Sequence, residues 1–187
     1  MNTSTLRRAA LRTGITIAGA GAVLAVGAAP AHAVTAATIT APGTDVLRYE
    51  PGSYGADLLV SRSGGMLIFK DQGGGRITTN HENCVDLPLK GQVQCRADGI
   101  GAILLNGTSG PDKFVNDSGI KSVQLGLGGD DYLVGDWGVF DRIDAGPGAD
   151  RVFTSDNGQA NYDTVDCGSG VDTWLKDSAD QGVNCES

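Results

Sequence analysis

Gly126-Leu127-Gly128-Gly129-Asp130-Asp131-Tyr132-Leu133-Val134 is the stretch on which the fold turns. A glycine-rich turn runs into an aspartate, and the aspartate into a short apolar strand. Reading outward, the same Asp-x-apolar triplet returns as Asp112-Lys113-Phe114, Asp141-Arg142-Ile143, Asp150-Arg151-Val152, Asp163-Thr164-Val165 and Asp172-Thr173-Trp174. Lys121-Ser122-Val123 stands as a further rung with its Asp replaced, and the steps between successive rungs are 9, 10, 10, 9, 13 and 9 residues. Self-similarity at so short a period points to stacked coils of β-structure, a parallel β-roll, and away from a conventional globular sheet.

Taken two rungs at a time the pattern sharpens. Asp112, Asp131 and Asp150 are 19 residues apart and Asp172 follows after 22. Ahead of them stand Gly107-Thr108-Ser109-Gly110-Pro111, Gly126 to Asp130, Gly146-Pro147-Gly148-Ala149 and Gly168-Ser169-Gly170-Val171. One coil then comprises two turns and two short strands. The well-formed turns share one edge, and the looser ones around Asp117, Asp136–Asp141 and Asp156–Asp163 share the other. Coils stack about 4.8 Å apart, so the aspartates of one edge form a column. Two carboxylates at that spacing repel by about 1 kcal/mol in water and by several-fold more where partly buried. A cation between the rungs removes the repulsion. Ca²⁺ suits such a place, since it takes six to eight oxygens from carboxylates and backbone carbonyls alike. The same residues also suit a solenoid without metal, because Asp and Gly are good turn formers.

The interior of such a roll is thin. Phe114, Leu133, Val152 and Trp174 are expected to stack inside it, facing Val123, Ile143 and Val165. Upstream, an early strand is expected around Val46–Tyr49, a β-hairpin over Leu58–Arg62 and Met66–Asp71 joined by Ser63-Gly64-Gly65, two paired strands between Cys84 and Cys95, and a strand over Ile100–Leu105. The fold class is therefore all-β, with residues 34–105 as an N-terminal β region and 106–187 as the roll.

Residues 1–33 read as a signal peptide: Arg7, Arg8 and Arg12, an apolar run to about Ala29, then Ala31-His32-Ala33 as a small-x-small cleavage site. Setting them aside takes three of the 14 basic residues and none of the 22 acidic ones, leaving 11 against 22, a net charge of −11. That balance argues against nucleic acid or an anionic membrane as partner and suits carboxylates that meet cations. No second long apolar run follows to span a membrane. After an export signal four cysteines point to disulfides, and closeness in sequence favours Cys84 with Cys95 and Cys167 with Cys185 over the other two connectivities. The expected location is outside the cell.

The ladder resembles the hemolysin-type, or repeats-in-toxin, calcium-binding repeat of form Gly-Gly-x-Gly-x-Asp-x-apolar-x. The closing stretch, Asp166-Cys167-Gly168-Ser169-Gly170-Val171-Asp172 through Asn184-Cys185-Glu186, is similar to the end of secreted actinobacterial proteins of that type. The repeat resemblance covers about residues 105–177. It implies a calcium-binding parallel β-roll with Asp112, Asp131, Asp150 and Asp172 as ligands, joined by Asp141 and Asp163 on the second edge. It implies further that turn carbonyls of Gly126, Gly128, Gly146, Gly148, Gly168 and Gly170 complete the shells. Only Gly126–Val134 approaches the full nonapeptide.

No catalytic constellation emerges. Asn116-Asp117-Ser118-Gly119 faintly resembles a protease nucleophile region, yet His81 is the only histidine after the leader and lacks a partner for base or zinc chemistry. Gly107-Thr108-Ser109-Gly110 lacks the strand-turn-helix context of a nucleophile elbow. The glycine runs lack the helix that phosphate cradling requires. The expectation is a binding protein without enzymatic activity, its cofactor Ca²⁺. The alternative is a metal-independent structural or adhesive β-solenoid module associated with the cell wall.

Overall fold

A computed structural model describes residues 36–52, 55–156 and 161–186; the expected leader over 1–33 lies outside them. Among the described residues there is no α-helix, and sixteen strands form two mixed sheets of eight. The first sheet holds β1 (Ala37–Thr40), β2 (Val46–Glu50), β5 (Ile77–Thr79), β8 (Ala102–Thr108), β10 (Ser122–Leu127), β12 (Arg142–Asp144), β14 (Thr164–Asp166) and β16 (Gln181–Val183). The second holds β3 (Asp57–Ser63), β4 (Met66–Asp71), β6 (Cys84–Leu87), β7 (Gln92–Arg96), β9 (Lys113–Asp117), β11 (Tyr132–Val134), β13 (Arg151–Phe153) and β15 (Thr173–Leu175). A short 3₁₀ turn, Pro88–Lys90, joins β6 to β7 and ends at Gly91, whose φ of 59° lies in the left-handed region that glycine tolerates.

The two halves of the chain pair differently. In the N-terminal half β3–β4, β4–β7 and β6–β7 are antiparallel, so the expected hairpin forms with Ser63 opposite Met66, and Cys84 lies directly opposite Cys95. From β8 onward successive strands alternate between the sheets, and each pairs in parallel with the strand two places away. Both sheets pass from one half to the other through parallel pairs, β2 with β8 and β3 with β9. The N-terminal strands thus cover one edge of the short C-terminal ones, which average too few residues to hold a sheet by themselves.

Alternation along each strand sends every second side chain inward. In the second sheet Leu58, Phe114, Leu133, Val152 and Trp174 stand in register, the first four fully buried. The matching row of the first sheet is Tyr49, Leu105, Gln124, Ile143, Val165 and Gly182. Tyr49 meets Phe114 edge-on at 6.0 Å, where the two rows face each other. Burying each large side chain here contributes about 1.5–3 kcal/mol. At the far end Trp174 lies across Gly182, where a Cβ would sit 2.6 Å from the ring's Cη2, and its indole N–H donates to Thr154 Oγ1 at 3.0 Å.

One expectation about the interior is corrected. Val123 faces outward, and its neighbours Ser122 and Gln124 are buried. The rung is Ser122-Val123-Gln124, because the Ser122 N–H and Oγ both donate to Asp141 Oδ1, at 2.5 and 2.7 Å, as a stacked Asp would. Gln124 then points inward, its amide donating to Ser122 Oγ and the Val134 carbonyl. With Ser122 in the aspartate position the early steps alternate 10, 9, 10 and 9. Both expected disulfides, Cys84–Cys95 and Cys167–Cys185, are present.

Candidate metal centre

The candidate ligands fall into columns because the rungs stack, and each column is threaded by hydrogen bonds from main chain to carboxylate. On the first edge the N–H of Asp112 donates to Asp131 Oδ1 (2.7 Å), that of Asp131 to Asp150 Oδ1 (2.8 Å) and that of Asp150 to Asp172 Oδ1 (2.8 Å). The column is capped at both ends. Ala56 N–H donates to Asp112 Oδ1 at 2.5 Å, and Asp172 N–H donates to Glu186 Oε2 at 2.8 Å. One oxygen of each aspartate is thus committed to holding neighbouring segments in register. Such charge-assisted bonds are roughly twice as strong as neutral ones.

The second oxygens differ along the column. Asp112 Oδ2 accepts from the Thr108 N–H at 2.6 Å and from its hydroxyl. Oδ2 of Asp131, of Asp150 and of Asp172 is buried with no hydrogen-bond partner among the described residues. Burial raises the pKa of Asp131 to about 7, with the charges of Asp112, Asp150 and Asp130 adding to the shift, and pushes Asp112 and Asp150 upward as well.

The second edge brings together Asp141 and Asp163 and adds carboxylates absent from the expected ligand set. Asp141 N–H donates to Asp163 Oδ1 (2.7 Å), and Asp163 N–H to Asp180 Oδ1 (2.9 Å). Beside this runs a third column. Asp136 Oδ2 accepts from Ser118 and Gly119, Asp156 Oδ1 from Gly138, and Asp177 Oδ2 from Asp156. Asp163 Oδ2 and Asp156 Oδ2 are again buried and unpaired. Burial is the first cause raising Asp163 to about 7 and Asp141 to about 6. Asp136, Asp156, Asp177 and Asp180 carry no glycine-rich signature ahead of them. Their only sequence signal is the distance back to the donor in the preceding repeat, between 17 and 21 residues in these bonds.

The glycines bring turn carbonyls close to the first column. A Cβ on Gly107 would stand 2.5 Å from the Gly126 carbonyl oxygen and 2.7 Å from both Asp112 Oδ2 and the Leu125 oxygen. At Gly126 the same space is bounded by Asp131 Oδ2 and the Ala145 carbonyl. Gly128 lies against Pro147, and the carbonyls of Gly146 and Gly148 press on Gly168 and Gly170 of the next coil. Oxygens and bare glycine faces therefore alternate along the edge. Gly146, at φ +92°, holds a conformation that a side chain would strain.

The donor set is all oxygen, as a hard cation such as Ca²⁺ requires, and it contains buried carboxylate oxygens without a hydrogen-bond partner among the described residues. Among the described residues no three His, Cys, Asp or Glu side chains gather as a group to hold a metal ion. A column supplies one carboxylate per coil, so the balance of any shell has to come from carbonyls. On that footing the residues fit.

The two ion pairs among the described residues, Arg48 with Glu50 and Lys113 with Asp57, lie on the outer faces of the sheets and include none of the column aspartates. Compared with protein-family models, with curated proteins and with solved structures, the chain matches none.

Proposed function

We propose that this chain is a secreted calcium-binding protein in which Ca²⁺ lies between stacked Gly-x-Asp turns of a parallel β-roll. The observation that carries the reading is the run of buried, unpaired Oδ2 atoms on Asp131, Asp150 and Asp172. Leaving a buried acceptor unsatisfied costs about 1–3 kcal/mol, and more when it is charged. A cation beside those oxygens removes the cost and the repulsion between rungs together. Asp112, Asp131, Asp150 and Asp172 would hold it, with turn carbonyls such as those of Leu125, Gly126 and Ala145; Asp141 and Asp163 would serve the second edge.

Calcium so held would stabilise the native chain by RT ln(1 + [Ca²⁺]/Kd), about 2.7 kcal/mol at a hundredfold excess over Kd. The roll would be loose where calcium is scarce and would set after export. The two disulfides, and the lack of any helix among the described residues long and apolar enough to cross a membrane, are compatible with an extracellular place.

A second reading rests on a different observation: every ladder aspartate already has a main-chain N–H on Oδ1. The columns could then be structural staples of a metal-independent extracellular module. Calorimetric titration with Ca²⁺, with Mg²⁺ as control and thermal melts in chelator, separates the two. Saturable heat and a calcium-dependent rise in melting temperature, both reduced in Asp150→Asn, support the calcium reading. Equal melts in chelator and in millimolar Ca²⁺, with no heat, leave the structural one.

A further inference from the structure

The outer face of the second sheet carries an apolar row that the interior does not use. Leu59, Val115, Val134, Phe153 and Leu175 are in register on adjacent parallel strands and point outward, the first four half-buried and Leu175 exposed. With strands about 4.8 Å apart the row is roughly 19 Å long. Trp137, 68% exposed, rises beside it and walls a cavity of about 280 Å³ floored by Leu59, Val115 and Val134. The size of the row is that of the largest apolar patch on a typical monomer, which often has a binding role.

The flanks of the row have opposite signs. On the side where the strands begin stand Lys113, Tyr132 and Arg151, with Asp57 3.7 Å from the Lys113 ammonium. On the side where they end stand Asp117 and Trp137, both exposed. Strand β9 alone shows the pattern, with Lys113, Val115 and Asp117 as its three outward residues.

We propose that this face docks a second copy of the chain, face to face, about a two-fold axis lying along the apolar row. That axis turns strand β9 onto its own copy in reverse, so Val115 meets Val115, and Lys113 of each copy meets Asp117 of the other. Such an isologous contact is self-complementary only if the two flanks differ in sign, as they do here. An anionic polymer or lipid would meet Asp117, and a neutral glycan would leave both flanks unpaired. The face is roughly 300 Å² in outline, from strands of seven, five, three, three and three residues at about 3.3 Å rise and about 4.8 Å spacing. That is small beside the roughly 800 Å² per partner of a tight complex, so the dimer is weak and concentration-dependent.

The test is sedimentation equilibrium of the purified protein from micromolar to millimolar concentration, in calcium and in chelator, with circular dichroism as a folding check. The expected result is a reversible monomer–dimer equilibrium in at least the better-folded condition. Lys113→Asp and Asp117→Lys should each raise the dimer Kd about tenfold, because a symmetric interface counts each like-charge pair twice. The combined swap should restore it. A protein that stays monomeric throughout overturns the proposal, as does a dimer whose Kd none of the three variants moves. If a single reversal fails to fold, a folded double swap that does not dimerise also overturns it.

Discussion

The main-chain N–H of Asp131 donates to Oδ1 of Asp150 at 2.8 Å, while Oδ2 of Asp150 is buried without a partner. One carboxylate thus has two tasks: to bind the neighbouring coil and to present an unsatisfied oxygen. The two tasks can be separated by substitution.

Asp150→Asn keeps an acceptor oxygen for the Asp131 N–H and removes the charge, whereas Asp150→Ala removes both. In chelator the alanine variant should lose about 1–3 kcal/mol, the cost of an orphaned buried donor, and the asparagine variant should be close to neutral. In saturating Ca²⁺ both should fall below the parent. Denaturant unfolding under the two conditions reads all four values. An asparagine variant as unstable in chelator as the alanine one would assign the loss to the charge itself.

Without metal, stability should decline as pH rises. Burial lifts Asp131 and Asp163 to about 7 and Asp141 to about 6 from an ordinary 3.8, so the folded chain holds protons that the unfolded chain releases. That contribution is fully present below the unfolded pKa and is lost as pH climbs through the folded values. Melting temperature in chelator should therefore fall between pH 4 and pH 8. In excess Ca²⁺, which competes with those protons, the slope should flatten or reverse. Thermal melts at one-unit pH intervals check this.

Ser122 occupies an aspartate position and donates twice to Asp141. Ser122→Asp should set a second carboxylate against Asp141, lowering the melting temperature in chelator and making it more dependent on calcium. Ser122→Ala should cost about 1 kcal/mol, the net value of a hydrogen bond, with no change in calcium dependence.

Gly182→Val should force Trp174 off the end of the interior, since a Cβ there strikes its ring. In a Trp137→Phe background, which leaves one indole, the emission of Trp174 should shift to the red. Stability should fall by about 1–3 kcal/mol, the usual cost of overpacking. An unshifted spectrum would mean that the chain end moves aside instead.

Removing the Cys167–Cys185 bridge by paired serine substitutions should cost about 3 kcal/mol, as expected for a loop of 18 residues. It also frees Glu186, whose carboxylate caps the Asp172 N–H, so amide exchange should rise first at Asp172 and in β15. Uniform acceleration along the whole chain would place the effect on global stability.

The period of the ladder was open to reading in the chain itself. Asp112, Asp131, Asp150 and Asp172 fall in one column and Asp141 and Asp163 in another because the parallel strands that follow them pair in register at a nearly constant repeat length. The same holds for the hairpin, whose two apolar runs flank glycines, and for the disulfides, whose cysteines are near neighbours in sequence. Alternation alone did not reveal that Ser122 replaces an aspartate one position after Lys121. A rung is defined by what its N–H and hydroxyl reach in the next coil, and that partner, Asp141, is 19 residues away. Strands β1 and β5 escaped notice for a related reason: both are short, β5 pairing only with β1, and β1 lying between β5 and β2. The column of Asp136, Asp156 and Asp177 had no glycine signature to announce it. Local spacing determined where turns and strands recur, since backbone geometry sets the length of a coil. Only the stacking of coils decided which oxygens are satisfied and which are left bare, because that depends on atoms brought together across the fold.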